Sequence, residues 1–214
     1  MPEPIEARLR TSEQVALARL QDCMVESLLE VDSGIILHGG TAIWRCYNGN
    51  RFSNDVDVYA TDAQVKKLWH NFTWSLSKRG AAMDYPKIGR AIKVHNGEAS
   101  TKLEAMEPYK GMHPTQMEYR KADGSTLFVT TPSLQDFINE KIYTYQKRKY
   151  VRDLYDIYHL TSAGGLQPGT KRNLRAFVKE IKRPIDEDKL RDLIYVGATP
   201  SFDTMVGLIR GRIR

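Results

Sequence analysis

Cysteine is scarce in this chain. Cys23 and Cys46 are the only two, too few and too far apart for a disulfide framework or a zinc site, which points to a reduced, cytoplasmic protein. No stretch approaches the roughly 20 apolar residues that span a bilayer, so no membrane partner is expected. The opening "MPEPIEARLRTSEQ" lacks the apolar core of a secretory signal. Internal repeats and low-complexity linkers are also missing, and with them any sign of a flexible tether.

What is present is unevenly charged. The 214 residues carry 32 basic and 26 acidic groups, a net +6. Residues 1–130 hold 16 of each sign, while residues 131–214 hold 16 basic against 10 acidic, so the whole excess lies in the second part. A basic lobe beside a neutral one suits a polyanionic partner, although a solvated lysine-rich surface gives the same count.

Periodicity divides the chain in the same place. "TSEQVALARLQDCMVESLLEV" reads as an opening helix, "GIILHGG" as a short strand ending in glycines, and "TAIWRCYN" as a short helix. "DVDVYA" reads as a strand, followed by the amphipathic helix "DAQVKKLWHNFTWSLSKRG" closed by Gly80. "RAIKVHNG" and "TKLEAMEP" read as strands, and "MEYRKADGSTLFVTT" as a hairpin turning at Asp123-Gly124. Beyond "TPS" come only helical patterns: "LQDFINEKIYTYQKR", "VRDLYDIYHLTSAGG", "TKRNLRAFVKEIKR", "DEDKLRDLIYV" and "SFDTMVGLIRGRIR", with Pro132 and Pro184 as helix starts. The expected fold class is α+β: a mixed sheet with flanking helices over residues 1–130, then a C-terminal helical lobe over residues 131–214.

"ILHGGTAIWRCYNGNRFSNDVDVYA" carries the chemistry. A strand that ends in Gly39-Gly40 and turns into a helix at Thr41 offers bare backbone N–H groups at a positive helix end, a favourable seat for phosphate. Most such turns are only tight turns. Ser53, Asp55 and Asp57 then alternate, which sends all three to one strand face. Like charges side by side repel, so a cation is expected between the carboxylates. Two carboxylates on one face can share Mg²⁺, which favours a few carboxylates together with phosphate oxygens and water. A third on a neighbouring strand would complete a two-metal site. Glu104 is the best candidate because it interrupts an apolar strand. Glu107 lies nearer the strand end and Glu98 in a turn.

"GGTA", a spacer and "RFSNDVDVY" together resemble the core of the DNA polymerase β-type nucleotidyltransferases, in particular their AbiEii-type toxin branch, which includes the MenT tRNA-modifying toxins. The resemblance continues in "NEKIYTYQKRKYVRDLYDIYHL", similar to the branch's helical signature of a lysine followed by K-x-x-x-D and R-D-L-Y-D-L runs. It covers roughly Ile35 to Leu160. The stretch "KIGRAIKVHNGEAS" departs from it, showing no counterpart of the branch's middle lysine motif. The resemblance implies that Gly39, Gly40 and Thr41 cradle an NTP and that Asp55, Asp57 and Glu104 hold Mg²⁺ or Mn²⁺. It places Ser53 near the γ-phosphate, a serine phosphorylated in some members, and Lys141 as a phosphate-neutralising cation. Asp153 or Asp156 would complete the constellation from the helical lobe. The implied acceptor is RNA, foremost a tRNA 3′ end, with translation blocked as the outcome and a cognate antitoxin as a further partner. Lys147, Arg148, Lys149, Arg172, Arg175 and Lys179 are the RNA-binding candidates. Transfer of AMP to a protein or small molecule, or an inactive binding module, are the alternatives. Taken singly the residues have plainer readings: Ser53 as a turn cap, Lys141 as a solvated helix lysine, and Asp153 and Asp156 as partners of Lys149 and Arg152.

Overall fold

The computed structural model describes residues 3–84 and 89–214. Lys87 and Ile88, which open the stretch without a middle lysine motif, lie outside the described residues. A 20-residue helix α1 (Ser12–Val31) is capped by Thr11, whose hydroxyl accepts from the Gln14 N–H. Strand β1 (Ile36–His38) passes straight into helix α2 (Gly39–Cys46), followed by β2 (Val56–Tyr59) and α3 (Asp62–Ser77). Thr61 and Gln64 close a reciprocal capping box at the start of α3. Strands β3 (Ala82–Asp84), β4 (Ala91–His95), β5 (Ser100–Met106), β6 (Pro114–Arg120) and β7 (Thr126–Pro132) complete a seven-stranded sheet ordered β3-β4-β5-β2-β1-β7-β6. Pairing is antiparallel except for β1 with β7 and β2 with β5. The mixed sheet with flanking helices is the expected α+β architecture.

Alternation gives the sheet two faces. Val56, Val58, Leu103 and Ala105 are buried in the main core with residues of α1 and α3 such as Met24, Leu68 and Phe72. His38, Asp57 and Glu104 point the other way, and their register aligns them: His38 lies opposite Asp57, and Asp57 opposite Glu104.

The second part is helical: α4 (Leu134–Arg148), α5 (Val151–Thr161), α6 (Pro168–Glu180), the four-residue α7 (Leu190–Leu193) and α8 (Phe202–Arg212). Ser133 caps α4, and Lys149 ends it with φ at +54°. Residue 130, the expected boundary, falls inside β7, and the apolar core runs across it from Val58 and Leu103 to Tyr145, Phe177 and Met205. The two parts also share backbone pairing. Phe52 donates to the Leu193 carbonyl at 2.8 Å and Tyr195 to the Asn50 carbonyl at 3.0 Å, while Trp44 Nε1 donates to the Tyr195 hydroxyl at 3.0 Å.

Four expectations change. Strand β3 was not foreseen. Helix α2 starts at Gly39 rather than Thr41. Pro168, not Pro132 or Pro184, opens a helix, since Pro132 ends β7 and Pro184 lies in the loop after α6. The helix expected over "DEDKLRDLIYV" shrinks to a 3₁₀ turn and α7, because Leu193 and Tyr195 are drawn into pairing with the segment around Phe52. Among the described residues no helix is long and apolar enough to cross a membrane.

Candidate active site

The glycine turn and the carboxylates meet. Gly39 has φ of +71°, and a Cβ there would lie 2.9 Å from the Asp57 Cγ. A Cβ at Gly40 would sit 2.5 Å from Ser53 Oγ and 2.6 Å from Arg51 Nη2. Side chains are excluded at both positions because the backbone is pressed against Asp57, Ser53 and Arg51. Thr41 departs from expectation. Its side chain is fully buried and its hydroxyl donates to the Asp55 carbonyl at 2.5 Å, so it fixes the aspartate segment instead of facing a phosphate. Two unforeseen residues pin the same segment. Gln21 donates to the Ser53 and Asn54 carbonyls at 2.7 and 2.9 Å, and Thr101 donates to the Asn54 carbonyl at 2.5 Å.

Asp57 is partly buried on β2, while Asp55 precedes the strand and is exposed. Burial pushes the Asp57 carboxyl above the usual range, and the Asp55 and Glu104 charges push it further against the opposing pull of His38 and Lys141. A cation between the three carboxylates would relieve that repulsion. In their present rotamers no three such side chains among the described residues form a ready metal cage. Glu104 instead holds Lys102, whose Nζ is 2.6 Å from Oε2. The donor set still suits Mg²⁺ or Mn²⁺, which take few carboxylates and complete their shell with phosphate oxygens and water. Glu104 would exchange its lysine for the ion.

Behind the turn lies a buried ionic network. Arg51, itself buried, grips Asp156 with two hydrogen bonds of 2.8 and 2.9 Å. Lys141 Nζ stands 2.9 Å from Asp156 and 3.6 Å from Asp153. Arg148 takes both oxygens of Asp153 at 2.7 and 2.8 Å. Burial alone would raise the Asp156 pKa, yet the Arg51 and Lys141 charges outweigh it and hold the carboxyl at about 2. Three expectations are thereby amended. Asp153 is fully buried between Arg148 and Lys141. Lys141 is a buried counter-ion whose charge still reaches Asp57, not an open phosphate hook. Arg148 is exposed, but its Nε and Nη2 are paired with Asp153. Arg51, absent from the sequence reading, is the link between this network and Gly40.

A second unforeseen cluster lies on the same sheet face. The His38 ring stacks on Tyr59 with centroids 3.8 Å apart, and Tyr59 donates to Glu140 at 3.1 Å. His38 Nδ1 is 3.5 Å from the same carboxylate. This anchors α4 beside Asp57. Lys147, Arg172, Arg175 and Lys179 are exposed, and Lys149 is half-buried. Arg175 donates to the Ile213 carbonyl, and with Lys179, Arg210 and Arg214 it rims a groove of ≈ 650 Å³ floored by Val178 and Ile213.

Comparison with known proteins bears on this geometry. The profile of the family described as "Nucleotidyl transferase AbiEii toxin, Type IV TA system" matches residues 22–198. JHP933 from Helicobacter pylori is similar in structure, with a TM-score of 0.61 at 15% identity over 95% of this chain and 91% of that one. The nucleotidyltransferase toxin MenT4 from Mycobacterium tuberculosis H37Rv gives a TM-score of 0.59 at 20% identity over 95% of this chain and 84% of that one. At such identities these two show the shared fold. None of the curated proteins matches the sequence.

Proposed function

The chain belongs to the AbiEii nucleotidyltransferase toxin family, and on that premise we propose that it transfers a nucleoside monophosphate from an NTP to RNA, foremost the 3′ end of a tRNA, and so blocks translation. The observation that carries the reading is the contact of Asp57 with the Gly39 backbone, with Glu104 in register beside it. The Gly39 and Gly40 amides, at the N-terminus of α2, would seat the triphosphate. Asp55, Asp57 and Glu104 would hold Mg²⁺ or Mn²⁺, which supplies charge neutralisation on the triphosphate and a more acidic attacking hydroxyl. The chain's own part is orientation. Thr41, Gln21 and Thr101 keep the Ser53–Asp55 backbone fixed, and the Arg51–Asp156–Lys141 network backs the glycine turn. The 3′-hydroxyl oxygen of the acceptor bonds to the α-phosphorus, the α–β bridging bond breaks, and pyrophosphate leaves with its electron pair. The hydroxyl proton passes to a base or to solvent.

The basic excess of residues 131–214 supports a polyanionic acceptor. As a toxin-family member the chain would be held in check by a cognate antitoxin. The test is incubation with total tRNA, Mg²⁺ and each labelled NTP in turn, with Asp55→Ala alongside. Label on tRNA from the parent alone supports the reading. Label on a protein instead would transfer the activity to nucleotidylation of protein.

A further inference from the structure

Two helices of the second part begin side by side. Helix α4 is capped by Ser133 and α6 by Gln167, and the Gln167 backbone N–H donates to the Gln135 side chain at 3.1 Å. Further along both helices, Asn173 Nδ2 donates to Asn139 Oδ1 at 3.0 Å. These two bridges frame a cavity of ≈ 380 Å³, with His113 from the loop before β6 as a further wall. That volume suits a small molecule. Its lining residues include none of those that form the carboxylate site or the ionic network behind it.

The groups left unused in this cavity are of two kinds. The first is a set of donors. No side chain caps α6, so the Gly169 and Thr170 N–H groups lie in its first turn without an acceptor in the helix. Thr170 is only 3% exposed and lines the cavity, yet its hydroxyl has no hydrogen-bond partner among the described residues. Buried hydroxyls normally find a partner, so this one points to a ligand. The positive end of an uncapped helix favours an anion there. Neither lysine nor arginine lines the cavity, which suits one carboxylate better than a phosphate.

The second kind is an acceptor. Asp136 spends one oxygen, Oδ2, on the Ser133 hydroxyl at 2.6 Å and the His113 N–H at 2.9 Å, with His113 Nδ1 at 3.5 Å. Its Oδ1 has no donor among the described residues. The asparagine bridge leaves the Asn173 amide oxygen unused as well. Asp136 would repel a lone anion, so the occupant needs a cationic donor beside its negative group.

A negative group at one end and a positive group at the other, within one small cavity, describe a zwitterion. We infer that the cavity binds a free α-amino acid. Its carboxylate sits on the Gly169 and Thr170 amides and the Thr170 hydroxyl, and its ammonium on Asp136 Oδ1 and Asn173 Oδ1. No apolar side chain lines the cavity, so the amino acid's own side chain is polar.

The test is isothermal titration calorimetry on the full chain without NTP or divalent ion, which keeps it independent of nucleotidyl transfer. The probes are L-glutamine, L-asparagine and L-serine, each beside its methyl ester and its N-acetyl form, with inorganic phosphate as a separate arm. At least one free amino acid should bind saturably and one-to-one, and its two blocked forms should bind about tenfold more weakly or worse. Thr170→Val and Asp136→Asn should each weaken that binding about ten- to 150-fold, the loss expected for a hydrogen bond to a charged group. Asp136→Asn keeps an oxygen for Ser133 and His113, and thermal melting would confirm that both variants fold. A merely structural part for either residue would not separate free from blocked ligands. Absence of binding by all three amino acids, blocked forms that bind as well as the free ones, or variants that bind like the parent would overturn the site. Binding of phosphate in place of the amino acids would overturn it too, leaving an anion seat alone.

Discussion

At the residue scale, the glycine turn works by exclusion. Gly39→Ala would force a side chain into the Asp57 carboxylate at a backbone angle that L-residues rarely adopt. Transfer activity should fall at least 100-fold and stability by about 1–3 kcal/mol, read by labelled transfer and by urea unfolding. Arg51 predicts a larger structural cost. Arg51→Met leaves Asp156 with Lys141 alone in a buried site, which should destabilise the fold by about 3–5 kcal/mol. The same carboxyl sets a pH dependence. Its pKa is depressed from 3.8 to about 2, so its contribution is complete above the unfolded value and disappears as pH falls through the folded one. Urea midpoints measured from pH 5 to pH 2 should drop in the parent by an amount worth about 2 kcal/mol that Asp156→Asn does not lose. That Gly39 and Asp57 come together was legible from local clues, whereas Ser53 and Asp55 precede β2 and do not alternate on its face as expected. Arg51, Gln21, Thr101 and the His38–Tyr59–Glu140 cluster were not legible, since their partners lie from 21 to 105 residues away, as with Tyr59–Glu140 at 81 and Arg51–Asp156 at 105.

At the element scale, local signals and tertiary demands agree in most places and part in two. The bounds of α4 were readable from its helical pattern after "TPS", and in the structure Ser133 caps one end while Lys149, with φ at +54°, closes the other. Removing the cap with Ser133→Ala should cost about 1 kcal/mol in urea unfolding. Strand β3 has three residues, too few for alternation to show. The shortened α7 illustrates tertiary override: its sequence favours helix, but the Phe52–Leu193 and Asn50–Tyr195 backbone bonds lock the first part of the chain to the second and pull the segment straight. The site depends on that lock, because Arg51 and Ser53 belong to the same short stretch.

At the scale of the whole molecule, a neutral sheet part carries the carboxylates, and the basic excess lies in the helical part. The charge division was visible in the sequence, and one apolar core runs through both parts. Reversing charge at Arg172, Arg175 and Lys179 should weaken RNA labelling and flatten its salt dependence while NTP binding persists. RNA labelling indifferent to that change would move the docking surface elsewhere. The most direct measurement of the central claim compares the parent, Asp57→Asn and Glu107→Gln for transfer of labelled NMP to tRNA, with melting temperature as a control. The account predicts equal labelling by the parent and Glu107→Gln and none above background from a folded Asp57→Asn. Undiminished labelling by Asp57→Asn would contradict it.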